Sequence, residues 1–457
     1  ENRESNIVLC NLHIVIIDSV QWQSHINFRD YMNAFPQKAD NYEKLKIKLA
    51  EQFPNDRDAY TNGKKEFIED CLINADVYKV MCLMFDITSF EPITKGWSSD
   101  KKFHIKTATK QQMFLRISDI SELDRKKAEH KMMGRMYEVG VLIPKPLEYG
   151  ICGNGKDVYF LSEWINGKDT ESVLPMMTET EQYVLGLKAG ELLHKIHSIS
   201  APDGIDDWQK RYFSVIDERI EAYRSEGISF EGNKIILEYS DCNRSLLLGR
   251  PQCLLHGDFH EGNLMVSDDG ELYVIDLLDE GFGNHGDPWY DLRTFGENKN
   301  VHFSTGLIRG YFNGEPPQEF WDVLTYYYVT AAITSIVWMK YHKLDELPET
   351  LIRNEKNARF LQAGRSPLME CYLPNFYIQY VDSIPYKIKA RFDLSFLSKY
   401  GKVFKVFDDQ DSGNICFGLE NDDCKRYFVK FAGAPTERAC VTADEAIRNL
   451  KRTVPIY

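Results

Sequence analysis

An aspartate, an asparagine and a second aspartate are spaced through the segment HGDFHEGNLMVSDDGELYVID, residues 256–276. Asp258 and Asn263 lie among turn residues, and Asp276 follows a short apolar run. Carboxylate and amide oxygens are the ligands that hard cations such as Mg²⁺ take from proteins. The segment could therefore bind a metal ion, provided that the fold brings these side chains together.

The dipeptide Asp269-Gly270 predicts the turn that would do so. Asp-Gly between two apolar, β-rich runs is typical of a two-residue hairpin turn in which both central residues have positive φ. In that hairpin Asn263 lies directly opposite Asp276. Directly opposed Cβ atoms are roughly 4.5–5.5 Å apart, so the amide and the carboxylate could hold one magnesium ion.

Asp258, in the loop that enters the hairpin, adds a third oxygen-bearing group. Phosphoryl transfer uses such a set, in which one carboxylate orients the attacking hydroxyl while an Asn and an Asp hold Mg²⁺ on the phosphates. The alternative is a surface hairpin whose acidic residues only favour the turn. The combination of His-Gly-Asp, the asparagine and the second aspartate favours phosphoryl transfer.

HGDFHEGN followed by YVID resembles the catalytic loop and metal-binding aspartate of the aminoglycoside phosphotransferase family, the small-molecule relatives of protein kinases. The resemblance implies that Asp258 is the catalytic aspartate and that His256 steadies the loop. It also implies that Asn263 and Asp276 are the magnesium ligands.

The same resemblance implies an α+β, bilobal protein-kinase-like fold for residues 83–372, with a β-rich N-lobe and a helical C-lobe. Short strands followed by long helices in this part of the chain also favour α+β. In the segment GDPWYDLRTF, residues 286–295, we expect Asp287 and Asp291 to support the loop rather than do chemistry.

An ATP-binding lobe should precede the loop. KGWSSDKKFHI, residues 95–105, stands where the turn over the phosphates is expected, with Ser98 as a donor. The strand MFLRI has Arg116 where the family has its phosphate-binding lysine. Arginine keeps the positive charge but presents a planar fork of donors, and Glu129 on the following helix is its expected ion-pair partner; the alternative for Glu129 is a solvated helix surface.

The strand and turn VYFLSEWINGKDT resemble the hinge whose backbone groups bind adenine. The candidate residues are Ser162, Glu163, Trp164 and Ile165. His194 and His197 lie on a predicted helix, but without a third ligand we expect them to be structural.

The amino-terminal zone, residues 1–82, resembles the carboxyl-terminal part of the GrpB family of nucleotidyltransferase-like proteins, and residues 41–74 predict two amphipathic helices. The family's nucleotide-binding elements have no counterpart here, so no nucleotidyl transfer is expected. His13, Arg29 and Lys64 either belong to a remnant pocket or serve packing, and packing is the preferred interpretation.

The carboxyl-terminal zone, residues 376–457, has three strand patterns and then a helical run, and it resembles the amino-terminal lobe of a serine/threonine protein kinase. The resemblance places Lys430 at the phosphate-binding lysine and Glu445 as its helix partner. No second His-Gly-Asp or His-Arg-Asp follows, so we expect this zone to catalyse nothing by itself. Both flanking zones should be dispensable for chemistry.

Composition limits the class of protein. A net charge of −14 argues against nucleic-acid binding, which requires clustered Lys and Arg, and leaves room for a cationic ligand. The uncharged run at residues 323–339 is diluted by Thr, Ser and Tyr, so we expect a buried helix and no membrane association. The ten cysteines include no C-x-x-C pair, which fits a reducing cytoplasm.

These observations together predict a cytoplasmic kinase that uses ATP and Mg²⁺ to phosphorylate a hydroxyl of a small molecule. Antibiotic resistance is the family's best-known role, and a cationic aminoglycoside would suit the acidic balance of the chain. The alternative, favoured by Arg116 and the incomplete flanking zones, is a nucleotide-binding pseudokinase or regulatory module. The sequence does not indicate the acceptor or an oligomeric state.

Overall fold

The computed structural model describes residues 14–17, 19–84, 86–93, 100–152, 155–277, 284–297, 300–374, 376–381, 384–388, 395–407, 414–432 and 448. The chain divides into two compact units. The first contains the described residues up to Met132 together with Lys145–Trp164. The second contains Met133–Pro144 and the described residues from Ile165 onward.

Helices open the first unit: α1 (Val20–Ala34), α2 (Pro36–Gln52), α3 (Arg57–Asn62) and α4 (Lys65–Met84). Ser19 and Asp56 cap α1 and α3, since each side chain accepts a hydrogen bond from a backbone N–H in the first turn. Pro36 stands at the start of α2, where its missing N–H costs nothing. Residues 41–74 thus hold parts of three helices, and the prediction of two was wrong. The additional helix end lies near Gly63, between α3 and α4. A Cβ at Gly63 would lie 2.6 Å from Leu49 Cδ2, so the backbone at this helix end packs closely against α2.

A five-stranded antiparallel sheet follows, in the order β1-β2-β3-β5-β4. Its strands are β1 (Ile87–Ile93), β2 (Lys101–Thr107), β3 (Gln112–Asp119), β4 (Pro146–Cys152) and β5 (Asp157–Glu163), and α5 (Leu123–Glu138) lies between β3 and β4 in sequence. Side chains alternate along β3, so Met113, Leu115 and Ile117 enter one buried cluster. Arg116 points to the opposite face, where it meets Glu129 of α5.

The amino-terminal helices pack on this buried cluster. Phe35, at the start of α2, and Tyr78 of α4 contact the cluster through Phe90 of β1, with ring centroids 6.1 and 5.8 Å from the Phe90 centroid. Helices and sheet of the first unit therefore share one core.

The second unit is mainly helical. Its helices are α6 (Thr170–Val173), α7 (Glu179–His197), α8 (Trp208–Ser225), α9 (Asn233–Cys242), α10 (Val301–Phe312), α11 (Gln318–Thr334), α12 (Ile336–His342) and α13 (Leu347–Gln362). Glycines let α7 and α10 approach closely, since a Cβ at Gly190 would lie 2.1 Å from the Leu307 carbonyl oxygen. The run at residues 323–339 is largely buried, as predicted, although Ser335 divides it between α11 and α12. Within the part of the chain that is described, helices are too short or too polar to cross a bilayer.

Short strand pairs complete the helical unit. β6 (Gly167–Asp169) pairs with β8 (Leu264–Ser267), β8 pairs with β9 (Leu272–Val274), and β7 (Cys253–Leu254) pairs with β10 (His285–Gly286). The antiparallel sheet of the first unit and the helices of the second confirm the predicted α+β class, with a β-rich lobe and a helical lobe.

The predicted register of the β8–β9 hairpin was wrong by one residue. Leu264 pairs with Val274, and Asn263 accepts a backbone hydrogen bond from Ile275, not from Asp276. The turn contains three residues, because Gly270 has φ 85° while Asp269 keeps negative φ, as in a type I turn followed by a bulge. Asn263 therefore lies opposite Ile275, and Asp276 is one position further along.

The carboxyl-terminal zone has the three predicted strands. A hairpin of β11 (Tyr377–Val381) and β12 (Ile384–Ile388) precedes the antiparallel sheet of β13 (Lys402–Phe407), β14 (Asn414–Glu420) and β15 (Arg426–Ala432). Lys430 lies on β15 opposite Cys416. Glu445 and His13 fall outside the described residues. Arg29 pairs with the neighbouring Asp30 on the surface.

Candidate active site

The loop before β8 is held by a 3-10 helix, Pro288–Glu297. Asp291 of this helix is fully buried and accepts hydrogen bonds from the backbone N–H groups of His256 (2.6 Å) and Gly257 (2.8 Å). His197 Nε2 lies 3.0 Å from the same carboxylate. Burial would raise the pKa of Asp291, but the hydrogen bond from His197 and nearby positive charge lower it. The carboxylate thus fixes the start of the loop, as expected, and His197 is structural.

His256 connects the two ends of the proposed site. Its Nδ1 accepts the backbone N–H of Asp258 at 3.2 Å, and its Nε2 lies 3.1 Å from the Ile275 carbonyl oxygen, next to Asp276. Since Nδ1 accepts, Nε2 must carry the proton and donate. Complete burial lowers the pKa of His256, which favours this neutral tautomer. The ring thereby holds the backbone at Asp258 and at Ile275, the residue before Asp276.

Asp258 is about half exposed, and two neighbouring side chains present N–H groups to its carboxylate. Asn263 Nδ2 donates to the Asp258 backbone oxygen at 2.8 Å and to Oδ2 at 3.1 Å. Partial burial raises the pKa of Asp258, but the hydrogen bond and charge attraction of His260, with further attraction from Arg293, lower it to about 2. The group is therefore a carboxylate at neutral pH, able to orient a hydroxyl.

His260 is a residue that sequence reasoning missed. Its Nδ1 accepts the backbone N–H of Gly262 at 3.0 Å, so Nε2 carries the proton and faces Asp258 Oδ2 at 3.3 Å. The spacing of two residues between Asp258 and His260 inside a turn was the available signal.

The donor chemistry of Asn263 and Asp276 fits Mg²⁺. Mg²⁺ in phosphate sites is bound by one or two carboxylates plus substrate oxygens, and Asn263 uses its NH₂ group on Asp258, which turns the amide oxygen away from that carboxylate. Asp276 is exposed and has φ 59°, in the left-handed region that Asp adopts more readily than most residues. Among the described residues there is no group of three or more His, Cys, Asp or Glu side chains that could hold a metal ion. A magnesium ion here would therefore depend on the Asn263 amide and on substrate oxygens in addition to Asp276.

The first unit carries the predicted Arg116–Glu129 ion pair, which is confirmed. Arg116 also lies over the Phe160 ring, 4.7 Å from its centroid. Sequence reasoning missed two further charged residues beside this pair: Lys126 and Asp100 are almost fully buried, and their side chains lie 2.5 Å apart. Ser98 lies outside the described residues.

The predicted hinge residues have mixed surroundings. Ser162 is buried within β5. The N–H groups of Glu163 and Trp164 already donate to the carbonyl oxygens of Lys145 (2.9 Å) and Gln112 (3.3 Å). Two of the backbone N–H groups predicted for the hinge are therefore already hydrogen-bonded within the first unit.

Comparison with known proteins identifies the class. A family model described as the phosphotransferase enzyme family matches residues 89–321, about half of the chain. The fold and the loop described above are those expected of a kinase-like phosphotransferase. The chain belongs to the phosphotransferase enzyme family.

The amino-terminal zone has a separate relationship. Residues 1–73 match a family model described as GrpB protein. The glutamate-rich protein GrpB of Alkalihalophilus pseudofirmus is 49% identical over 61 residues, which are 13% of this chain and 35% of that protein. The chain thus spans about a third of the length of this curated relative.

Solved structures of antibiotic phosphotransferases are also similar. A streptomycin–ATP ternary complex of the aminoglycoside phosphotransferase APH(2″)-IIa is 17% identical and covers 65% of this chain and 98% of that chain, with a TM-score of 0.45. The GDP complex of aminoglycoside 2′-phosphotransferase-IIIa is 13% identical and covers 62% and 98%, with a TM-score of 0.46.

Proposed function

We propose that the chain transfers the γ-phosphate of ATP to a hydroxyl group of a small molecule, with Mg²⁺ as the metal. The observation that carries this proposal is the position of the Asp258 carboxylate, which lies beside Asn263 and His260 in the loop of a phosphotransferase family member. A carboxylate with a pKa of about 2 is a weak base at neutral pH. Its role is to orient the acceptor hydroxyl for attack on the phosphorus, as in other kinases.

We assign the remaining roles by residue. Asn263 and Asp276 would hold Mg²⁺, which when bound neutralises charge on the phosphates. Arg116, oriented by Glu129, contacts the phosphates with its remaining donors. Backbone groups of Ser162, Glu163, Trp164 and Ile165 bind the adenine, and Ser98 contacts the phosphates.

The acceptor we favour is a cationic, hydroxyl-rich molecule of the aminoglycoside type. A net charge of −14 attracts cations toward the protein over the distance set by salt screening. Such an activity would confer antibiotic resistance.

The second candidate is a nucleotide-binding pseudokinase, and Arg116 at the usual lysine position favours it. Lysine and arginine differ in geometry at phosphate sites, so binding without turnover is a coherent alternative.

The test is ATP consumption by the purified chain with Mg²⁺, measured against a panel of aminoglycosides, macrolides, amino alcohols and sugars. We expect one class of acceptor to raise the rate above the basal hydrolysis. Tight nucleotide binding without acceptor-stimulated turnover would favour the pseudokinase, and absence of nucleotide binding would contradict both.

A further inference from the structure

Four charged side chains of the first unit form a buried ion cluster: Asp100, Arg116, Lys126 and Glu129. The side chains of Lys126, Asp100 and Glu129 are only 1%, 3% and 5% exposed, and that of Arg116 is 17% exposed. Lysine is almost never fully buried unless it is paired. The burial of Lys126 therefore requires an explanation beyond helix packing.

The contacts form a continuous chain of charges. Lys126 Nζ lies 2.5 Å from Asp100 Oδ2 and 3.8 Å from Glu129 Oε2. Glu129 Oε1 accepts a hydrogen bond from the Arg116 guanidinium. The two oxygens of Glu129 thus face two different cations, one from β3 and one from its own helix.

Asp100 completes the balance of charge. Its second oxygen accepts a hydrogen bond from Ser118 on β3 at 2.7 Å. Asp100, which directly precedes β2, therefore contacts both β3 and α5. Two carboxylates and two cations give the cluster no net charge. A buried ion pair is costly to break because the remaining partner stays charged and desolvated.

The cluster also limits how Arg116 can be used. Glu129 engages Arg116 through one oxygen only, and the Arg116 Nε is buried without a hydrogen-bond partner among the described residues. The ammonium of Lys126 lies 3.8 Å from the other oxygen, Glu129 Oε2, so turning that oxygen toward the guanidinium would move it away from the ammonium. The Arg116 side chain is 17% exposed, so part of it is accessible to a ligand.

We propose that Lys126 and Asp100 are positioning residues for nucleotide binding: they hold Glu129 to a single contact with Arg116 and so direct the guanidinium toward phosphate. This inference rests on the proposed function. It explains how an arginine can serve where a lysine is usual, since the longer, forked side chain needs a second constraint on its partner.

The test measures Mg·ATP affinity by calorimetry in the full-length chain and in single and double variants. Lys126→Met removes the ammonium and keeps the aliphatic stem, and Lys127→Met on the exposed next position of α5 is the matched control. We expect Lys126→Met to weaken Mg·ATP binding about ten-fold or more, the size of losing a hydrogen bond to a charged group. Lys127→Met should leave it unchanged.

The decisive comparison uses the Arg116→Ala background. If Lys126 acts through Arg116, adding Lys126→Met to Arg116→Ala should cause no further loss of affinity. An equal loss in both backgrounds would mean a general structural effect and would overturn the inference. The double variant Asp100→Asn, Lys126→Met removes both charges and replaces the single variant if that variant does not fold. It should weaken Mg·ATP binding when Arg116 is present and have no further effect in the Arg116→Ala background.

Failure of the inference and failure of the proposed function give different results. Wild-type binding with no effect of Lys126→Met would contradict the positioning role alone. Absence of Mg·ATP binding by the wild-type chain would overturn the proposed function, and the inference with it.

Discussion

The side chains of Asn263 and His260 stabilise the negative charge of the Asp258 carboxylate. We expect Asp258→Ala to lower turnover by roughly 10²–10⁴-fold, the usual loss when a catalytic acid–base group is removed. Affinity for Mg·ATP should change little, because the role we propose for Asp258 is to orient the acceptor hydroxyl. Steady-state kinetics with a saturating acceptor would measure both quantities.

Asp268→Ala, in the exposed turn of the same hairpin, is the control and should retain the wild-type rate. Because the pKa of Asp258 is lowered to about 2, protonation of this group should not limit the rate between about pH 4 and 8. Wild-type turnover in Asp258→Ala would place the catalytic group elsewhere.

Asp291 holds the start of the loop through the backbone N–H groups of His256 and Gly257. We expect Asp291→Asn to lower the free energy of unfolding at pH 7 by about 3 kcal/mol or more, because an amide cannot accept from two backbone N–H groups and a histidine at once. Since folding lowers the pKa of Asp291, its stabilising effect is present above the unfolded-state value near 3.9 and is lost as pH falls through the folded-state value.

Urea unfolding of wild type and Asp291→Asn across a pH series would measure this difference. The two curves should lie apart at pH 7 and approach each other in acid, whereas Asp268→Asn should follow wild type throughout. A difference that grows on acidification would contradict the assignment.

At the scale of elements, the β8–β9 hairpin depends on one residue with positive φ. An alanine Cβ at Gly270 would meet no atom within 4 Å, yet its φ is 85°. We expect Gly270→Ala to destabilise the protein by about 1 kcal/mol from backbone strain alone.

Gly134 supplies a matched control, since it also has open space at the Cβ position but lies within α5 without positive φ. Gly134→Ala should stabilise by roughly 0.8 kcal/mol, the difference in helix propensity. Thermal unfolding would distinguish the two variants by the sign of the change, and equal effects would mean that φ is not the cause.

At the scale of the whole molecule, the boundaries of the phosphotransferase domain affect its stability. A chain limited to residues 83–372 keeps the residues proposed for chemistry but loses Phe35 and Tyr78 from the core of the first unit. It also loses the carbonyl oxygens of Pro374 and Phe376, to which the buried Arg309 donates. We therefore expect residues 83–372 to melt at a lower temperature than residues 14–388, while phosphate transfer below both melting temperatures stays similar.

Phe35→Ala in the full chain tests the first of these causes. Exposing the aromatic face beside Phe90 should cost about 2 kcal/mol. Tyr60→Ala is the control, because Tyr60 lies on α3 beneath Lys64 and is not part of that core. Equal melting temperatures of residues 83–372 and residues 14–388 would contradict this expectation.

The sequence by itself determined the loop, the class of fold and the ion pair of Arg116 with Glu129. The loop and the bilobal fold were predicted from the resemblance of HGDFHEGN and YVID to the aminoglycoside phosphotransferase family and from the order of short strands and long helices. The same resemblance placed Arg116 on its strand and Glu129 on the next helix as its partner. They could be predicted because each depends on residues close in sequence or on the regular repeat of one element.

Only the tertiary structure decided the features that depend on groups distant in sequence or on one backbone angle. The hairpin register moved by one residue because Asp269 keeps negative φ and Gly270 alone turns the chain. The support of Asp258 by His260, the burial of Lys126 against Asp100, and the packing of Phe35 and Tyr78 on the sheet required the folded chain. A charged residue at helical spacing is solvated in most proteins, and only the three-dimensional neighbours of Lys126 make it a buried partner of Asp100.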